Sequence, residues 1–140
     1  MNFFDSLKAY RDSMPFAQKM AITVDEVREG YSRVVMHVRA GDRNLLGSIH
    51  GGALMAIIDI AGAVAAWSYG EYAVTLNCNV QFLNAALQES ILFAEGFVEK
   101  HGKKTQVVRV VLTNEDGKKL CTASLTFFNM GKPIHFSEEQ

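Results

Sequence analysis

Charge of one sign is what this chain most clearly lacks: fourteen lysines and arginines stand against fifteen aspartates and glutamates in 140 residues. With no excess of either sign, neither nucleic acid nor an anionic membrane is expected as a partner, and a polyanionic ligand must be held by a local patch. Cysteine is scarce as well. Cys78 and Cys121 sit in alternating apolar and polar runs where a small hydrophobe belongs, which predicts reduced core residues, with no disulfide and no nucleophile. Proline occurs only at positions 15 and 133, and no repeat, linker or low-complexity tract interrupts the chain, so residues 1–140 read as one domain. The longest apolar run, Ala53 to Trp67, is shorter than the ~20 residues of a membrane span and contains Asp59. Met1 to Tyr10 carries Asp5 and Lys8 in place of a signal-type run, and a cytoplasmic location is expected. His37 and His135 show no metal-ligand spacing, and phosphate-loop and dinucleotide fingerprints are missing, so neither a metal nor a tightly bound cofactor is expected.

What remains is a chain that is 49% apolar and 21% charged, the balance of a folded soluble protein. Asn2 to Asp12 reads as a helix with Phe3, Phe4, Leu7 and Tyr10 on one side, within an N-terminal segment of residues 1–14 that stops before Pro15. Phe16 to Val27 and Tyr31 to Arg39 read as a hairpin joined at Glu29-Gly30. Residues 51–69 form a helix with no polar face, ended by Gly70 and therefore enclosed on most sides. Ala73 to Leu83, Ile91 to Lys100, Thr105 to Thr113 and Lys119 to Phe128 are strands, the last three linked by tight turns that make the sheet antiparallel. One sheet face must cover an all-apolar helix. An α+β hotdog, a curved antiparallel sheet of five to six strands wrapped around the long helix, does this most simply.

Asp59 is the chemical anomaly. A carboxylate in the middle of an apolar helix costs several kcal/mol unless it is paired or reaches a wet cleft, and such groups concentrate at active sites. Ahead of it, His50-Gly51-Gly52 opens the helix, where two glycines leave backbone N–H groups approachable and the helix dipole favours a developing oxyanion. Taken alone, that turn is equally well read as a tight loop-to-helix connection. Lys100-His101-Gly102-Lys103-Lys104 is the densest basic cluster, read either as a solvated turn or as a phosphate contact.

His50-Gly51-Gly52 followed by Asp59, together with Val74 to Phe82, Ala94 to Lys104 and Asn114 to Phe127, resembles the hotdog acyl-CoA thioesterases of the phenylacetate-pathway, PaaI-like type. The resemblance implies an acyl-CoA substrate, with the Gly51 amide and the Asn44 side chain polarising the thioester carbonyl. Asp59 then activates water or attacks directly. Thr75 matches a hydroxyl that orients the water, and His50 steadies either the leaving sulfur or the Gly51 turn. Gly52, His101, Lys103 and Lys104 are the expected contacts to coenzyme A. Where the family often has an arginine–proline pair, this chain has Ala85-Ala86. Unbroken alternation along 73–83 would point Thr75 away from the helix, so it reaches the site only through a bulge or a strand end.

Gly51 and Asp59 are separated by ~12 Å along one helix, too far for both to touch one carbonyl, so a homodimer or a dimer of dimers with sites shared between antiparallel helices is expected. Two rival readings stay open at this point. A hotdog dehydratase or hydratase needs a histidine paired with an acid, and a non-catalytic acyl-CoA sensor needs an output segment that the sequence does not show.

Overall fold

In the computed structural model, which describes residues 1–136, the chain begins with α1 (Phe3–Asp12), capped by the Asn2 side chain accepting the Asp5 N–H at 2.9 Å. A second helix follows, α2 (Pro15–Lys19). The expected strand from Phe16 is thus corrected: Pro15 at the first helical position presets a helical φ, and Ala21 turns the chain at φ +54° before strand begins at residue 22. The hairpin is β1 (Ile22–Arg28) and β2 (Tyr31–His37). After a single 3₁₀ turn come α3 (Gly51–Trp67) and four strands, β3 (Glu71–Phe82), β4 (Ile91–His101), β5 (Thr105–Thr113) and β6 (Lys119–Pro133). The long helix ends two residues earlier than expected, with Ser68 as its cap and Gly70 at φ +93°.

The six strands form one antiparallel sheet in the order β1-β2-β4-β5-β6-β3, which leaves β1 and β3 as its edges. Its inner face packs on α3, whose Leu54, Ile57, Ile58, Ala61 and Val64 are buried against Val34, Met36, Leu92, Val110 and Phe127. The closest approach is at Gly96 of β4. A Cβ there would stand 2.8 Å from the Ala61 carbonyl oxygen and 2.8 Å from Ser32 Oγ, which itself donates to that carbonyl at 2.6 Å. Because backbone blocks the added methyl, Gly96→Ala is expected to destabilise the fold by about 1–3 kcal/mol, read as a lowered urea midpoint at unchanged slope.

Helix α3 is not enclosed all round. Gly52 and Met55 are exposed, and Gly51, Ala56 and Asp59 half-buried, at three- and four-residue spacing that makes one open stripe. Toward the C-terminal end of this stripe the Tyr10 and Arg11 side chains stand against Trp67, while α1 itself packs on β1. Edge strand β3 runs beside the stripe.

Candidate active site

Asp59 lies midway along the open stripe, where it is half-buried rather than sunk in the core. Thr75 Oγ1 donates to its Oδ1 at 2.7 Å. The strand reaches this arrangement by a bulge: Thr75 pairs with Phe127 and Asn77 with Thr126, so Leu76 is an extra residue opposite nothing. Ahead of Leu76 the helix-facing residue is Thr75; beyond it Cys78 and Val80 pack against the core. Unbroken alternation along β3 is therefore wrong, and Val74 and Leu76, expected inside, are 48% and 59% exposed.

The helix start is built from His50. Its Nδ1 accepts the Gly52 N–H at 2.9 Å, which fixes the ring as the tautomer carrying its proton on Nε2. A Cβ at Gly52 would stand 3.1 Å from that Nδ1, so glycine lets the ring close on the backbone. Ala53 and Leu54 donate to the His50 carbonyl, and among the described residues nothing accepts the Gly51 N–H. This amide is the donor left for a ligand oxygen. The Phe82 ring stands 3.8 Å from where a Gly51 Cβ would lie, and a cleft of about 270 Å³ opens here, lined by Ser48, Gly51, Phe82 and the Ala85-Ala86 pair.

Asn44 holds the preceding turn, donating from Nδ2 to Ser48 Oγ at 2.8 Å and accepting the Leu46 N–H at 2.9 Å. One Nδ2 hydrogen is left over. Arg43, which drew no notice in the sequence, braces that turn against the loop before β4. Its guanidinium donates to the carbonyls of Gly47 at 3.0 Å and Glu89 at 3.1 Å, and also to that of Leu87.

The basic turn is elsewhere. His101 stacks on Tyr69 with centroids 3.8 Å apart, and Asn129 donates to the carbonyls of Gly102 and Lys103, so exposed Lys103 and Lys104 project beyond the C-terminal end of α3. Tyr69 and Gly51 are ~27 Å apart along the helix direction. Neither cysteine suits nucleophilic attack. Burial pushes the Cys121 thiol up to about 11, and burial followed by the negative field of Asp59 raises that of Cys78, so both remain protonated at neutral pH. Among the described residues no three His, Cys, Asp or Glu side chains gather as a metal site, and no helix is long and apolar enough to cross a membrane.

A sheet curled round one helix, with a hydroxyl-bound carboxylate midway along that helix and an unused amide beside a cleft at its start, is the architecture of a hotdog protein. Comparison with known proteins gives the family. The thioesterase superfamily model matches residues 46–121, and the chain belongs to that superfamily. It is 33% identical to the acyl-coenzyme A thioesterase PaaI of Escherichia coli over 102 residues, 73% of each chain. The solved structure of the E. coli PaaI protein superposes with a TM-score of 0.88 at 28% identity, covering 94% of this chain and 95% of that one. A Streptococcus pneumoniae thioesterase solved with coenzyme A matches at a TM-score of 0.76 and 28% identity, covering 81% and 91%. That pneumococcal protein has also been solved with an aspartate and, separately, a threonine replaced by alanine; the two positions are sixteen apart, the spacing of Asp59 and Thr75.

Proposed function

We propose that this protein hydrolyses acyl-CoA thioesters, with Asp59 as the catalytic carboxylate. The observation that carries the reading is the 2.7 Å bond from Thr75 to Asp59, made possible only by the bulge at Leu76. A hydroxyl held there orients one carboxylate oxygen and leaves the other to take a proton from water or to attack the carbonyl. Thioesters are weakly resonance-stabilised and thiolates leave readily, so one base, one positioned water and one oxyanion donor suffice. His50 serves that donor by holding the turn that presents the Gly51 N–H, its Nδ1 being taken up by the Gly52 N–H. A panel of aryl, short-chain and medium-chain acyl-CoA esters with a thiol-reactive dye tests the proposal: release of free coenzyme A from at least one ester is expected, and no turnover of any would overturn it. Two unpaired cysteines suit a reducing compartment, in keeping with the cytoplasm.

The site is completed by a second copy. Gly51 and Asp59 lie ~12 Å apart along α3, so the oxyanion donor for one Asp59 comes from the partner's Gly51 across an antiparallel pair of helices. The surface supports this. Val74, Leu76 and Phe82 on the unpaired edge strand β3, Met55 on the open stripe, and Leu45 and Leu46 on the turn beside it are all exposed and apolar, an arrangement that a stable monomer avoids. Antiparallel pairing also brings the partner's basic turn toward the loop of residues 40–48 at the mouth of the cleft. Lys103 and Lys104, with His101, then meet the phosphates of coenzyme A. Changing both lysines to alanine is expected to raise KM several-fold with little change in kcat, because contacts remote from the carbonyl bind ground and transition states alike. Short pantetheine thioesters, which lack those phosphates, should be unaffected; an equal loss on both substrates would remove the phosphate role.

A further inference from the structure

The turn that carries Asn44 has almost no grip of its own on the core. Between the buried residues Asp42 and Ile49 no side chain is buried, and Leu45 and Leu46 stand fully exposed at its tip. Facing it, the loop of residues 83–90 is exposed apart from buried Ala86 and half-buried Glu89, and it has no proline to stiffen it. One main-chain bond joins the two, from the Ile49 N–H to the Ala86 carbonyl at 2.7 Å. Among the described residues the other hydrogen bonds between residues 43–49 and residues 83–90 all come from the Arg43 guanidinium.

Nη1 of that guanidinium donates to the Gly47 carbonyl at 3.0 Å, within the turn, and to the Leu87 carbonyl across the gap, while Nη2 donates to the Glu89 carbonyl at 3.1 Å. Three carbonyls converging on one planar fork suit an arginine and not a lysine, whose donors spring from a single point. The turn held in this way closes on Asn44. Its N–H donates to the Ser48 carbonyl at 2.8 Å, its carbonyl accepts the Gly47 N–H at 3.1 Å, and its Nδ2 donates to Ser48 Oγ at 2.8 Å. The spare Nδ2 hydrogen therefore has a fixed direction, beside Ser48 on the wall of the cleft that Gly51 and Ala86 also line.

We propose that Arg43 is a positioning residue for thioester hydrolysis: by pinning residues 44–48 to residues 87–89, it keeps the Asn44 amide aimed at the substrate carbonyl. The inference rests on the thioesterase reading, with Asn44 as a donor to that carbonyl, and adds the group that holds the donor in place. A donor that wanders meets the carbonyl oxygen in the productive geometry only part of the time. The deficit falls on the transition state, where that oxygen gains charge.

Steady-state kinetics on the best ester of the acyl-CoA panel are measured for the wild type, Arg43→Ala, Arg43→Lys, Asn44→Ala and the double variant Arg43→Ala/Asn44→Ala. Arg43→Ala is expected to lower kcat about tenfold or more with KM changed by less than about threefold, and to cost almost nothing further in the Asn44→Ala background. Arg43→Lys, which keeps the charge but loses the fork, should recover little of the loss, and it replaces Arg43→Ala in the cycle if the alanine variant does not fold. Hydrogen exchange gives a readout that needs no turnover. In Arg43→Lys the bonded amides of Asn44, Leu46 and Gly47 should exchange at least about tenfold faster than in the wild type, while those of α3 keep their protection. An unchanged kcat, losses that add to that of Asn44→Ala, a lysine variant as active as the wild type, or unchanged exchange in the turn overturns the proposal. Failure of the thioesterase reading shows separately, as an absence of wild-type turnover on the panel while the exchange difference persists.

Discussion

Asp59→Asn is expected to lower kcat/KM for acyl-CoA hydrolysis by at least about 100-fold, and kcat nearly as much, the result that loss of a general base or nucleophile gives. The substitution is nearly isosteric. Asparagine keeps an oxygen for the Thr75 hydroxyl, and the carboxylate forms no ion pair among the described residues, so the protein should stay folded with its thermal midpoint unchanged or raised. Thr75→Val tests the same geometry from the strand side. If the hydroxyl works through Asp59, its loss costs activity in the wild type but adds almost nothing in the Asp59→Asn background. Two additive losses would show that Thr75 contributes separately from the carboxylate. An Asp59→Asn enzyme retaining most of its activity would refute the assignment of the catalytic carboxylate.

Mixing two inactive chains should restore activity. One carries Asp59→Ala, and the other carries Gly51→Val, which covers the free amide at the helix start. A Cβ at Gly51 meets only the Phe82 ring at 3.8 Å, an ordinary contact, so the added side chain blocks the cleft without displacing backbone. With antiparallel helices sharing two sites, a heterodimer gathers both lesions into one site and leaves the other intact. Random pairing then recovers up to roughly a quarter of wild-type activity if the sites act independently. No recovery after verified subunit exchange would mean that Gly51 and Asp59 serve one site from the same chain, and the shared arrangement would have to be abandoned.

Much of the fold was legible because its signals are local. Gly70 stops α3, Asn114 to Gly117 turn the last hairpin, and β5 runs over Thr105–Thr113 between the two turns that flank it in the sequence. Residues 16–19 misled because Phe16 and Ala17 are acceptable in either state, and the deciding element was Pro15 on the other side of the boundary. At the site, His50, Gly51, Gly52 and Asp59 stood out through residue type and spacing. Arg43 did not, since a lone arginine in a polar loop looks solvated until three carbonyls are found around it. Arg11 places a charge four residues beyond Leu7, on the face of α1 that is otherwise apolar, and only the Trp67 ring above which it lies shows why.

The sequence by itself therefore determined the helix that carries the carboxylate, the glycine turn that starts it and the antiparallel strands that cover it. Each depends on side-chain period, turn chemistry or the cost of burying a charge, quantities defined over a few neighbouring residues. Only the tertiary structure decided which way Thr75 points, that the basic turn stands beyond the opposite end of α3 from Gly51, and that the Arg11 guanidinium lies over Trp67. The first follows from the register of β3 against β6, and the others from how the sheet and α1 fold back along the helix. Register and packing arise from contacts between residues far apart in the chain, which no local pattern encodes.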